Sequence, residues 1–284
     1  MQDVFFLFSV HSTLSMLVFP NAKINLGLRI VEKRTDGYHN LESCFYPINW
    51  TDVLEILPAS ELTFKSTGLA IPGNPNSNLC LRAYELLRAH HDLPPVRIHL
   101  HKVVPIGAGL GGGSADGAFT LKLLNQQFNL NLPAGQLELY ARQLGSDCAF
   151  FIENSPRFCV GKGDEFEDFP LHLTGTWAVL VNPGIHISTA GAYAGIRPRY
   201  LVDDLRQLLR QPVETWRDAV KNDFEESLIP RYPQIGRLKT QLYEAGAQYA
   251  SMTGSGSTVF GLFSQKKDCS SLFKNLSHWQ GVLS

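Results

Sequence analysis

Pro105-Ile106-Gly107-Ala108-Gly109-Leu110-Gly111-Gly112-Gly113-Ser114 is the stretch whose reading decides the fold. Directly after it, Ala115, Ala118, Leu121, Leu124 and Phe128 recur every three or four residues, which predicts an amphipathic helix starting near Ser114. Glycines without a Cβ let the backbone turn tightly, and amides at a helix start point at an anion. A helix end favours negative charge by about 0.3 to 1 kcal/mol at exposed sites, and converging N–H donors add to that. A phosphate is therefore the natural guest. Immediately upstream, Val96, Ile98, Leu100 and Lys102 alternate with Arg97, His99 and His101, the pattern of a half-buried strand with Lys102 on its apolar side.

Three better-known phosphate loops do not fit. Gly107, Gly109 and Gly112 satisfy G-x-G-x-x-G, but a dinucleotide fold needs an acidic strand end about 20 residues later, where this chain has Leu132-Pro133 entering a helix. A Walker A loop would close with Gly-Lys before Ser or Thr, and here Gly113 leads straight to Ser114. No V-A-I-K or H-R-D follows, as a protein-kinase loop requires. A glycine turn with no ligand is the bland alternative, and so many glycines flush against a helix are entropically costly to order for nothing.

The rest of the chain frames this centre. With 284 residues there is room for two domains of ordinary size, and 44% apolar with 18% charged residues is ordinary for a globular protein. A net charge of -1 with scattered bases leaves no stripe for a nucleic acid. Cys44, Cys80, Cys148, Cys159 and Cys269 are odd in number and widely spaced, which reads as reduced, mostly buried thiols of a cytoplasmic protein. No apolar run approaches the roughly 20 residues of a membrane span. Asp3 precedes the apolar stretch near Phe5 and no basic residues do, so a signal peptide fits poorly. Met16 would serve as a start, and 1–16 reads as a non-native or upstream extension.

Strands are expected at 17–31, 44–57, 148–160, 177–181 and 257–263, and helices at 77–90, 133–144, 215–227 and 233–244. The turn-rich, acidic segment from Gly161 marks a domain junction, giving domains at 17–163 and 164–284.

The glycine stretch, continued through Ala115-Asp116, resembles the phosphate loop of the GHMP kinase superfamily. Pro20-Asn21-Ala22-Lys23-Ile24-Asn25-Leu26, Asp36-Gly37-Tyr38-His39-Asn40-Leu41, Leu144-Gly145-Ser146-Asp147 and Thr253-Gly254-Ser255-Gly256-Ser257 extend the resemblance over nearly everything from Leu17 onward. They point to the branch whose acceptor carries a cytidine diphosphate. The resemblance implies an α+β, two-domain GHMP-kinase fold, its first domain like a domain of a ribosomal protein, with the active site in the cleft between domains. Ser146-Asp147-Cys148-Ala149 stands where Ala-Asp-Val-Pro is usual.

By the same resemblance the chain transfers a phosphoryl group from ATP, with Mg²⁺ entering through the nucleotide's phosphates. Asp147 is the expected base and Lys23 its partner. ATP is expected on the loop from Pro105 through Ile106, Gly107, Ala108, Gly109, Leu110, Gly111, Gly112, Gly113 and Ser114 to Ala115, with Lys102 and Asn78 on the adenine side. Asn25, Tyr38 and His39 are expected at the cytidine end, lined further by Phe45 and Thr189, with Tyr193 stacking as a second ring. Plainer alternatives stand beside these: a helix-capping or water-facing turn carboxylate for Asp147, an exposed strand lysine for Lys23, helix caps for Asn78 and Ser114, a dipole partner in the first helical turn for Asp116, solvated strand positions for His99 and His101, and core packing for the aromatics. The expected partner is a small cytidine diphosphate molecule, with no nucleic acid or membrane, and the chain a monomer or homodimer. Rival readings are a homoserine, mevalonate or sugar kinase of the superfamily, and a non-catalytic nucleotide-binding module.

Overall fold

The run read as one strand at 17–31 forms two. In the computed structural model, which describes residues 16–199 and 203–284, β1 is Met16–Val18 and β2 is Asn21–Lys33. The extension read at 1–16 thus lies outside the described residues except for Met16. β2 pairs antiparallel with β3, His39–Thr51, around a turn in which Gly37 takes φ +86° and Asp36 accepts the Tyr38 amide at 3.1 Å.

The strand expected at 44–57 is interrupted. β3 ends at Thr51, and β4, Val53–Pro58, joins a different sheet. Between them Asp52 is buried and accepts the amides of Val103 and Val104, which turns the chain away. β5 is Thr63–Gly68, α1 is Leu79–Arg88 and β6 is Val96–Lys102, the last with the expected alternation of buried and open residues. α2, Gly112–Gln127, starts two residues before Ser114, and α3 is Ala134–Leu144.

The strand expected at 148–160 exists only at its end. Phe150–Glu153 is a short helix, α4, whose apolar residues are buried, and β7 is Arg157–Val160. A short apolar run suits a buried helical turn as well as a strand, and packing decides. The turn from Gly161, read as the junction, closes a hairpin between β7 and β8, Glu165–Asp168, and the chain leaves this sheet over 169–176.

The remainder runs β9 Trp177–Asn182, α5 Thr189–Tyr193, α6 Leu205–Leu209, α7 Trp216–Ala219, α8 Phe224–Arg231, α9 Pro233–Glu244, β10 Tyr249–Met252, β11 Val259–Phe263 and β12 Ser277–Val282. The helix expected at 215–227 divides into α7 and α8. At the break Asn222 accepts the Phe224 amide, and the chain lies beside Leu28 of β2.

Three sheets result among the described residues, ordered β1-β4-β6-β5, β2-β3-β7-β8 and β10-β11-β9-β12. One core packs α1 and α2 on the first sheet through Ala83, Leu87, Ala118, Leu121, Ile56 and Ile98. A second core sets Ile24, Leu26 and Tyr46 of the second sheet against Leu180, Phe260 and Leu262 of the third. The two halves thus share buried apolar surface, and the glycine stretch lies where they meet. All five cysteines are free and buried, and no helix among the described residues is long and apolar enough to cross a membrane.

Candidate active site

Three segments converge at the glycine stretch because no side chain keeps them apart. A Cβ on Gly109 would lie 2.1 Å from the Thr253 carbonyl oxygen, and Gly109 has φ +78°. A Cβ on Gly111 would meet Phe151 and Lys23 at 3.0 to 3.2 Å. Backbone bonds fix the approach: Lys23 N–H donates to Leu110 C=O at 2.9 Å, and Thr258 N–H to Ala108 C=O at 3.3 Å. Thr253 Oγ1 donates to Gly109 C=O at 3.1 Å and accepts the Asn25 amide at 3.0 Å. β2, the loop and 253–258 are thereby held as one unit.

Lys23 and Asp147, 124 positions apart in sequence, meet here with Nζ 3.3 Å from Oδ2. The Lys23 side chain is 4% exposed and that of Asp147 29%, so the carboxylate faces the cleft while the ammonium supports it from below. The ammonium also donates to Asn25 Oδ1 at 2.6 Å and sits 4.3 Å from the centre of the Phe45 ring. Asn25 uses its Nδ2 on Ser43 Oγ at 2.9 Å. Asn25 is buried with both ends of its side-chain amide engaged, which orients Lys23, and with Phe45 it also lines the cavity that holds Asp147. Phe45 is likewise buried beneath Lys23.

Two cavities flank the loop. One, about 590 Å³, is lined by Asn78, Lys102 and all of the loop from Pro105 to Ser114 except Leu110, together with Ile71, Asn74 and His186 among others. The other, about 630 Å³, holds Lys23, Asp147, Tyr38, His39 and Tyr193. They share Gly109, Gly111, Ser114, Thr189 and Ser255, so the glycine loop borders the cavity that holds Asp147 as well as the first one.

In the second cavity Tyr193 stacks on His39 with ring centres 4.8 Å apart, and its edge meets Phe224 at 4.9 Å. Tyr38 stands at the mouth, 61% exposed. His39, not Tyr38, is therefore the direct ring partner of Tyr193. Burial, with Lys33 nearby, pushes the His39 imidazole below its ordinary range, so it is neutral at pH 7 and offers both a donor and an acceptor.

Several plainer alternatives are decided by position. Asn78 caps α1, its side chain accepting the Cys80 amide at 2.9 Å, while also lining the first cavity. Ser114 is not a cap, since Gly111 in the left-handed region occupies that position and α2 starts at Gly112; its hydroxyl lies at the wall common to both cavities. Ala115 is buried in the helix. Asp116 is no solvent-facing dipole partner: it is buried, with Oδ2 2.6 Å from Lys102 Nζ. Lys102 in turn holds Asp52 Oδ2 at 2.5 Å, so its ammonium is engaged beneath the loop while the residue lines the first cavity. His99 and His101 flank Thr67 Oγ1 at 3.0 and 2.9 Å on the outer face of the first sheet.

Asp52 and Thr253 were not among the residues expected here. Asp52 gave no signal beyond one acidic residue between two apolar runs. Thr253 stood inside a quoted motif, but only folding brings it to Asn25.

Comparison with known proteins follows the same division. The model for "GHMP kinases N terminal domain" matches residues 78–154 and that for "GHMP kinases C terminal" matches 204–277. A Cytophaga hutchinsonii protein named 4-diphosphocytidyl-2-C-methyl-D-erythritol kinase is 52% identical over 94% of this chain and 99% of its own length. A Bacteroides fragilis protein of the same name is 52% identical over 89% of this chain and 93% of its own. A crystal structure of a 4-(cytidine 5'-diphospho)-2C-methyl-D-erythritol kinase superimposes with a TM-score of 0.81 at 28% identity, covering 95% of this chain and 99% of that one.

Proposed function

The chain belongs to the 4-diphosphocytidyl-2-C-methyl-D-erythritol kinase family of GHMP kinases, and from that premise we propose that it transfers the terminal phosphoryl group of ATP to the 2-hydroxyl of 4-diphosphocytidyl-2-C-methyl-D-erythritol. The step belongs to the non-mevalonate route to isoprenoid precursors. The observation that supports this reading is the wall common to both cavities: Gly109, Gly111 and Ser114 of the glycine loop also line the cavity that holds the Lys23–Asp147 pair.

In this reading the loop amides and the start of α2 hold the triphosphate. The acceptor oxygen attacks the outermost phosphorus, the bond to the ADP oxygen breaks, and Asp147 takes the hydroxyl proton. Lys23, fixed by Asn25 and Phe45, balances charge as the alkoxide character develops. Mg²⁺ would come with the ATP phosphates and offset their charge, and Ser114, the one side-chain oxygen of the loop and part of the wall common to both cavities, would be the loop residue to meet it. Adenine lies toward Asn78 and the backbone near Lys102. The cytidine end lies among Tyr38, His39, Thr189 and Tyr193, where neutral His39 hydrogen-bonds the base and an aromatic ring stacks on it. We place the protein in the cytoplasm, acting on a small molecule as monomer or homodimer, with the division between domains at 169–176, where the chain leaves the second sheet, rather than at 163/164 inside the β7–β8 hairpin.

ATP consumption with the cytidine diphosphate acceptor, homoserine and mevalonate tests the proposal. Turnover is expected with the first alone, and turnover only with either of the others would overturn it.

A further inference from the structure

Beneath the loop lies a group of ionisable side chains that the reaction itself does not use. Asp52 is 0% exposed, and Lys102 and Asp116 are 3% exposed. Lys102 Nζ is 2.5 Å from Asp52 Oδ2 and 2.6 Å from Asp116 Oδ2. Asp52 Oδ1 accepts the amides of Val103 at 2.6 Å and Val104 at 2.9 Å, the two residues that precede the loop. A Cβ on Gly112 would lie 3.1 Å from Lys102 Nζ, so the ammonium sits directly under the first residue of α2. The triad therefore spans the loop at its base, tied to the incoming strand by Asp52 and to the outgoing helix by Asp116.

Its charge does not balance. Two carboxylates face one ammonium away from water, and Asp116 Oδ1 is buried with no hydrogen-bond partner. A surplus buried charge is strongly disfavoured, and a group so placed keeps its proton instead. Burial raises the Asp116 carboxyl, the Lys102 ammonium opposes that and Asp52 adds to it, which together leave it pushed up to about 7. Of the elements packed around it, β6 contributes Lys102, the β3–β4 connection Asp52, and α1 the Cys80 thiol, which burial pushes above its usual range and keeps neutral.

We infer that Lys102, Asp52 and Asp116 form a proton-holding positioning element for the nucleotide: one ammonium, one carboxylate and one carboxylic acid lock the end of β6 to the start of α2 and so set the shape of the loop between them. This rests on the reading of the loop as the ATP site. When the proton leaves, the triad gains a net negative charge under a cradle built for an anion, and ATP binds less well.

Calorimetric titration of Mg-ATP into the full chain at about pH 6 and about pH 8.5 tests this, comparing wild type with Asp116→Asn and Asp116→Ala. The amide copies the shape of the protonated acid and cannot ionise. Wild-type affinity is expected to fall about three- to tenfold more than that of Asp116→Asn between the two pH values, a comparison that cancels titration of the nucleotide. Asp116→Ala, which strips Lys102 of a partner, binds more weakly than Asp116→Asn at both. Equal pH ratios for wild type and Asp116→Asn would overturn the inference, as would an alanine variant that binds like the asparagine one. Should wild type bind no ATP at either pH, the loop reading falls and the positioning role with it. Melting temperatures still judge the proton separately: wild type should lose stability relative to Asp116→Asn as pH rises, and parallel melting would show that no proton is held.

Discussion

Asp147 and Lys23 form a pair in which one member faces the cleft and the other is fixed from three sides. That asymmetry suits a proton acceptor on a rigid support, because a base positioned for catalysis loses rate when its partner wanders. Asp147→Ala is expected to lower kcat by about 10²- to 10⁴-fold while calorimetry still shows ATP binding. Retained turnover in that variant would remove Asp147 from the mechanism. Asn25 belongs to the same unit, and its buried amide explains why a polar residue stands on β2 beside Lys23. Tyr193 is a separate matter. Loss of a stacking ring is worth about 1 to 3 kcal/mol, so Tyr193→Ala is expected to raise KM for the cytidine acceptor about five- to 150-fold with KM for ATP little changed, which steady-state kinetics with each substrate varied will check.

At the scale of elements, the glycines of the loop are not equivalent, and the structure separates those that need to be glycine. Gly109 has a left-handed φ and a carbonyl where its Cβ would go, so Gly109→Ala strains the backbone by about 1 to 2 kcal/mol and pushes 253–258 off the loop besides. Gly113 has open space at its Cβ and sits inside α2, where alanine favours the helix by up to about 1 kcal/mol. Thermal melting is expected to show Gly109→Ala clearly destabilised and Gly113→Ala equal to or above wild type. This helix and the strand before it were legible in the sequence, because alternation through 96–102 and the spacing of Ala118, Leu121 and Leu124 leave one reading each. Elsewhere local pattern was insufficient. The apolar stretch around Phe150 has the composition of a strand and the packing of a helix, and the hinge at Asp52 is set by amides 51 and 52 residues away.

Over the whole molecule, the cleft depends on joining two halves that share a core, and Asn222 is a joint between them. Its side chain is buried, with Nδ2 donating to Met252 C=O at 2.8 Å and Gly254 C=O at 2.9 Å, while Oδ1 accepts the Phe224 amide at 3.0 Å. The flanking backbone bonds Leu28 on both sides. One residue thus ties β2, which carries Lys23, to the 253–258 turn and to the helix that carries Phe224 behind Tyr193. Asn222→Ala leaves buried polar groups unpaired at about 1 to 3 kcal/mol each, and urea unfolding is expected to show a loss of that order or more.

Long-range joints of this kind are what the sequence could not disclose. The pairing of Lys23 with Asp147 was legible only because both stand in motifs that resemble a known family. Asp52 and Asn222 stand in no such motif and act through partners far along the chain.

A ternary complex crystallised with a non-hydrolysable ATP analogue and the cytidine acceptor tests the central claim most directly. The account predicts the triphosphate against the amides of the loop, its outermost phosphorus facing the acceptor's 2-hydroxyl, with that hydroxyl hydrogen-bonded to Asp147. A nucleotide bound away from the loop, or an acceptor hydroxyl out of reach of that carboxylate, would contradict it.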